Sequence, residues 1–244
     1  MAFYARFMAT FALVHGAWLG AWSWESLTPL LQQAGHKVVA MDLPAEDGTA
    51  SFDTYADVVC HALERSQDDV VLVGHSYGGH TIPLVAARRP VRHLVYVCSL
   101  VPDVGRSMLD QLQRDPQMLN PRWVDGLSEP DEQLRTTWVD LELARELICA
   151  DCEDSVAEAA INRLRPQSSY PNVLPFSLPE FPPASSTYVV CVDDRFVDPR
   201  WSKRIARDRL GAHLVELPGS HSPLLSRPQA LADVLCRVAE SYVD

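Results

Sequence analysis

The stretch Val70-Val71-Leu72-Val73-Gly74-His75-Ser76-Tyr77-Gly78-Gly79-His80-Thr81-Ile82 decides the fold. It opens as a short β-branched apolar run and breaks at Gly74. After two further glycines a helix-compatible segment covers residues 81–88. Strand, sharp turn and helix in that order, with a lone serine between glycines, make the Gly-x-Ser-x-Gly nucleophile elbow. In that turn the serine hydroxyl projects above the C-terminal edge of a sheet. The turn demands small residues two before and two after the serine, because a Cβ there meets neighbouring backbone. The helix that follows aims its free N–H groups and positive dipole end at the place where an oxyanion forms. Ser76 is the candidate nucleophile.

The same alternation runs along much of the chain. Short apolar runs at residues 11–15, 37–41, 69–73, 92–98, 187–192 and 213–217 read as strands. Amphipathic or capped segments at 22–34, 51–66, 81–88, 201–210 and 229–242 read as helices. Strands that are apolar throughout and separated by helices imply an α/β fold, a mostly parallel sheet with helices on both faces. Between residues 102 and 186 the alternation stops. Helical stretches are expected around 131–149 and 155–164, followed by a connector holding Pro166, Pro171, Pro175, Pro179, Pro182 and Pro183. An insertion of this length between core strands reads as a helical cap over the strand ends, where open α/β sheets bind ligands. With 244 residues and 47% hydrophobic content, a single domain is expected, its core at about 10–101 and 187–244 and its cap at about 102–186.

The formal net charge of −11 argues against nucleic acid or an anionic membrane as partner, since both require clustered Lys and Arg. No apolar run reaches the length of a membrane span, and Met1-Ala2-Phe3-Tyr4-Ala5-Arg6-Phe7-Met8 lacks a signal-peptide core, so a cytoplasmic protein is expected. Six cysteines, Cys60, Cys98, Cys149, Cys152, Cys191 and Cys236, are dispersed through apolar segments and read as structural thiols. Cys149-Ala150-Asp151-Cys152 has the spacing of a Cys-x-x-Cys pair, but no second pair or histidine cluster completes a zinc site. Neither a metal nor an organic cofactor is expected.

A serine hydroxyl needs an adjacent base, itself oriented by a third group. In this architecture the order along the chain is Ser, acid, His, which places the histidine in the loop after the last strand. Of eight histidines, His221 in Pro218-Gly219-Ser220-His221-Ser222-Pro223 has that position. His213 falls within the strand; His15, His75 and His80 fall near the site; His36, His61 and His93 are expected on surfaces or at element ends. The loop after residues 187–192 offers Asp193, Asp194 and Asp198 as the acid, and spacing does not choose among them, although Asp198 before Pro199 also suits a helix cap. Two N–H donors are needed for an oxyanion. One is expected from Tyr77 and the other from the loop His15-Gly16-Ala17-Trp18, where Gly16 and Trp18 are candidate pocket residues. Trp22 and Trp24 could wall the pocket or pack in the core.

Three stretches together carry a family resemblance: Val14-His15-Gly16-Ala17-Trp18-Leu19-Gly20-Ala21-Trp22-Ser23-Trp24, Gly35-His36-Lys37-Val38-Val39-Ala40-Met41-Asp42-Leu43-Pro44, and Gly74-His75-Ser76-Tyr77-Gly78-Gly79. They resemble the α/β-hydrolase group that holds the salicylate-type plant methylesterases, the hydroxynitrile lyases and many bacterial esterases. The likeness continues through Asp194-Arg195 and His221-Ser222-Pro223 and is weakest in the cap. It implies a Ser76-Asp194-His221 triad, with Asp194 chosen by its register to Pro199, and Ala17 N–H as the second oxyanion donor. It implies a serine esterase working on a small-molecule ester through an acyl-enzyme. Relatives are often dimers, so a homodimer is an expectation of the resemblance alone. The lyase branch carries threonine where Gly16 stands and lysine where Ser222 stands, so it is disfavoured here. The stretch Leu43-Pro44-Ala45-Glu46-Asp47-Gly48 departs from the family's usual loop, which predicts an altered pocket wall. Thioesterase, lyase or carbon–carbon hydrolase chemistry on the same triad, and a non-catalytic binding protein, are the alternatives.

Overall fold

The computed structural model describes residues 8–66 and 69–241. Its strands, in chain order, are β1 (Thr10–Val14), β2 (Lys37–Ala40), β3 (Val70–His75), β4 (His93–Val97), β5 (Arg135–Thr136), β6 (Gln167–Ser168), β7 (Ser186–Cys191) and β8 (His213–Leu217). Six of them form one sheet in the order β2-β1-β3-β4-β7-β8, every pairing parallel, while β5 and β6 make a separate antiparallel ribbon. This is the α/β fold expected from the alternation. The four inner strands are largely apolar because both faces are covered. Ala12, Leu72, Tyr96 and Tyr188 enter one cluster with the helices Phe52–Ala62, Ile82–Ala86 and Pro199–Asp208. Phe11, Leu13, Val73, Val95 and Val189 enter the other with Thr28–Gln33 and Pro228–Glu240. The outer strands β2 and β8 are partly exposed and carry Lys37, His213 and Glu216, charged or polar side chains suited to a sheet edge.

The strand order reverses at β1: the chain moves from β1 outward to β2, then returns to the other side of β1 for β3. A crevice opens at the C-terminal ends of strands at such a switch point. Because all six strands run the same way, the segments following β1, β3, β7 and β8 emerge at this one edge.

Local chemistry moves several boundaries. The helix expected over 22–34 is split into a 3-10 turn, Ala21–Trp24, and an α-helix, Thr28–Gln33, because Pro29 has no N–H to continue an earlier helix and instead suits a first turn. It ends at Gly35, which takes φ +93. Only Leu141–Ile148 of the stretch 131–149 is helical. Asp140 accepts from Leu143 N–H to start that helix, and Arg135–Thr136 pairs with Gln167–Ser168. Leu143, Ala144, Leu147, Ile148, Ala157 and Ala160 of the insertion join the cluster on one sheet face. His36 and His93, expected on surfaces or at element ends, are buried: His36 packs edge-on to the Phe11 ring, and His93 bonds Thr187 Oγ1. His61 is exposed beside Glu64. All six cysteines are free thiols. The N-terminal stretch through Phe7 and the helix end expected at Tyr242 lie outside the described residues. Among the described residues no helix is long and apolar enough to cross a membrane.

Ser76 itself adopts φ +50. A Cβ on Gly74 would lie 2.9 Å from Gly78 O, one on Gly78 2.6 Å from Val14 O, and one on Gly79 2.2 Å from Leu100 O. The obstructing atoms are backbone and cannot swing away. Gly79→Ala is therefore expected to lower stability by about 3 kcal/mol or more, at the upper end of overpacking costs. Urea unfolding checks this, and a loss under about 1 kcal/mol would show that the elbow yields easily.

Candidate active site

β3 ends at His75, and the chain turns at Ser76 into the 3-10 turn Ser76–His80. The turn is tied from behind. Leu100 N–H donates to Ser76 O at 2.9 Å, Ser99 Oγ donates to Gly74 O at 2.5 Å, and the Tyr188 hydroxyl donates to Ser99 O at 2.5 Å. A strained φ persists where surrounding bonds over-determine it, and this turn has several.

His221 follows β8, and its Nε2 lies 3.0 Å from Ser76 Oγ. Its Nδ1 lies 2.9 Å from Asp194 Oδ2 and 3.1 Å from Oδ1. A carboxylate only accepts, so Nδ1 carries the proton and Nε2 is the bare acceptor facing the serine hydroxyl. Asp194 Oδ1 also accepts from Phe196 N–H at 2.8 Å and Val197 N–H at 3.0 Å, which fixes the carboxylate. Ser76, Asp194 and His221 are all buried. The other two acids are engaged elsewhere. Asp198 caps Pro199–Asp208 by accepting from Arg200 and Trp201 N–H, and Asp193 accepts from Gly219 N–H.

The histidines around the serine are supports. Burial, and next the neighbouring His221 ring, hold the pKa of His75 well below the ordinary value. Neutral, His75 donates Nε2–H to His221 O at 2.9 Å, with its ring 4.9 Å from that of His221. His15 Nε2 accepts from Leu43 N–H at 3.0 Å, so its Nδ1–H donates to Gly16 O at 2.8 Å. That pins the loop holding Gly16 and Ala17 to the exit of β2. Burial lowers the His15 pKa to about 4, consistent with this neutral tautomer. His80 lies buried and stacked on Phe52, and His213 is exposed on β8.

A cavity of about 340 Å³ opens beside Ser76. Ala17, Trp18 and Tyr77 line it, joined by Leu119, Trp123 and Phe196 as an apolar, largely aromatic wall. Gly16 is not on the wall; it lies behind, where a Cβ would meet Ser76 Cβ at 2.9 Å and His75 Nδ1 at 3.0 Å. Trp18 holds φ +58, a costly conformation for a large aromatic, and its Nε1 reaches Thr136 Oγ1 at 3.4 Å. Neither Trp22 nor Trp24 lines the cavity. The Arg163 guanidinium stacks over the Trp22 ring, and Trp24 is buried on the opposite sheet face. The unusual stretch 43–48 supplies no lining residue; it acts from behind, through Leu43 N–H on His15 and Ala45 O on Ser168 N–H. Sequence reasoning missed Thr136, Gln167, Asn172 and Phe196. Only Phe196, two residues after the acid, left a local signal, since the others lie in a segment without periodic pattern.

A parallel sheet whose strand ends bring together an elbow serine, a histidine and an aspartate in this chain order defines the α/β-hydrolase class. The chain belongs to the Alpha/beta hydrolase family, whose profile matches residues 11–234. Methylesterase 8 of Arabidopsis thaliana is 29% identical over 249 residues, covering 95% of this chain and 90% of that protein. Norfluorocurarine synthase 2 of Strychnos sp is 31% identical over 256 residues, covering 96% of both. A pyrethroid hydrolase from Sphingobium faniae JZ-2 superposes with a TM-score of 0.83 at 24% identity, covering 96% of this chain and 98% of that one, and so shares the fold.

Proposed function

We propose that the protein is a serine esterase cleaving a small or medium carboxylic ester through an acyl-enzyme, with residues 102–186 as the cap over its site. The observation that carries this is the unbroken line from Ser76 Oγ to His221 Nε2 and from His221 Nδ1 to the Asp194 carboxylate. His221 takes the hydroxyl proton as Ser76 attacks the ester carbonyl. Asp194 keeps the imidazole in its working tautomer and stabilises the imidazolium. Ala17 and Tyr77 N–H groups receive the oxyanion. His221 then protonates the departing alcohol, and in the second half it activates water to release the acid. Ser222 directly follows His221 where the lyase branch carries a lysine, and the lack of that cation supports esterase over lyase chemistry.

A fluorophosphonate probe, with the modified residue mapped by mass spectrometry, tests the nucleophile directly. Labelling at Ser76 that is lost in His221→Ala is the expected result. Folded protein that takes up no label would overturn the reading and favour a binding protein.

A further inference from the structure

One wall of the cavity differs in chemistry from the aromatic wall. Strand β6, Ser169 and the helix Tyr170–Val173 line it with Gln167, Ser168, Ser169 and Asn172, the two serine hydroxyls donating to Gln133 O and Leu134 O. The two amides are each held in one orientation. The Tyr77 hydroxyl donates to Asn172 Oδ1 at 2.5 Å, and burial pushes the phenol pKa well above its ordinary value, so the phenol keeps the proton it donates. This leaves the Asn172 Nδ2–H₂ group without a partner among the described residues. Gln167 is the reverse case. Its Nε2 donates to Ser168 O at 2.9 Å and to Tyr55 OH at 3.1 Å, while its Oε1 has no partner among the described residues. Gln167 is 5% exposed, and the cavity is one of its boundaries. Because Tyr77 directly follows the nucleophile, the amide wall is tied to the catalytic turn by one tyrosine side chain.

A few fixed polar groups in an otherwise apolar cavity set ligand orientation and specificity. We infer that Asn172 and Gln167 form a subsite for a neutral substituent that both accepts and donates a hydrogen bond, a carboxamide or a hydroxyl, carried by the substrate away from its ester bond. The inference rests on the esterase reading for its substrate and on the amide geometry for its chemistry. The substituent oxygen accepts from Asn172 Nδ2–H, and its N–H or O–H donates to Gln167 Oε1. A carboxylate cannot donate to Gln167, and Glu129 on the cavity rim adds like charge against it. A hydrocarbon group of the same shape would leave both amides unpaired, and sites built to bond a polar group reject such analogues strongly.

The test pairs two substrates, the p-nitrophenyl esters of glutaramic acid and of its isostere with isopropyl in place of the carboxamide. Wild type is expected to favour the carboxamide ester in kcat/KM by about tenfold or more, chiefly through KM. Asn172→Asp keeps the acceptor for Tyr77 but removes the donor, and should collapse that ratio; Gln167→Leu should reduce it as well. Fluorophosphonate labelling of each variant at Ser76 shows that its site is assembled. A ratio near one in wild type, or a ratio that survives Asn172→Asp, overturns the subsite. Dissociation constants of the same two esters on Ser76→Ala protein read the ratio without turnover. If wild type hydrolyses neither ester, those constants still decide the subsite while the esterase reading fails separately.

Discussion

Replacement of Ser76 by alanine is expected to lower kcat about ten-thousandfold or more while the protein stays folded. The alanine Cβ takes the place of the serine Cβ, so the left-handed backbone at φ +50 and its ties to Leu100 and Ser99 are unchanged. What is lost is the hydroxyl 3.0 Å from His221 Nε2, the proposed nucleophile. Triad members act as one unit, so removing the nucleophile alone costs nearly as much as removing all three, and residual rate comes from binding and oxyanion donors. Two measurements decide it, steady-state turnover of an ester that wild type hydrolyses and the thermal unfolding curve of the variant. Retention of more than about a hundredth of the activity in a folded variant would remove Ser76 from the mechanism. The double variant Ser76→Ala/His221→Ala should be little slower than Ser76→Ala, because the base has nothing left to activate.

The fold should lose stability on mild acidification, from pH 7 to 5. Burial lowers the pKa of His15 to about 4 and that of His80 to about 3, against an ordinary value of 6.5. In the window between folded and unfolded pKa values the unfolded chain binds a proton that the folded chain refuses. The unfolding free energy therefore falls as pH falls below about 6.5. From pH 7 to 5 this amounts to about 2 kcal/mol for each of the two groups. Burial shifts His75 and His93 in the same direction, so their effects add. The cause differs at each site. Protonating His15 would place a hydrogen on Nε2, where Leu43 N–H now donates, and would release the loop carrying Gly16 and Ala17. Protonating His80 would bury a cation whose ring nitrogens have no acceptor among the described residues. Urea unfolding at both pH values measures the loss, and His80→Leu should lessen the pH dependence by about 2 kcal/mol. Equal stability of wild type at pH 7 and 5 would refute the prediction.

The elbow was legible because its constraint is local. Gly74, Gly78 and Gly79 have no room for a Cβ within one turn of Ser76, and such a requirement shows in the residues themselves. His221 was legible through chain order, since parallel strands deliver their following loops to one edge. Helix ends were less so. Pro29 split one expected helix, and turns around the short strand Arg135–Thr136, paired with a segment about thirty residues on, took the place of the first part of another.

Alternation of apolar strands with helices, and a turn too crowded for side chains, are properties of neighbouring residues, and they specified the α/β sheet and the serine at its edge. Spacing left Asp193, Asp194 and Asp198 open and only the family resemblance favoured Asp194; the physical reason lies in the fold, where β7 pairs with β8, the Asp194 carboxylate meets His221, Asp193 accepts from Gly219 N–H and Asp198 caps a helix. The cavity belongs still more to the folded state. Asn172 and Gln167 face Ser76's cavity from about ninety residues along the chain, and their orientations come from Tyr77 and Tyr55, contacts made only once residues 167–172 pack beside the elbow.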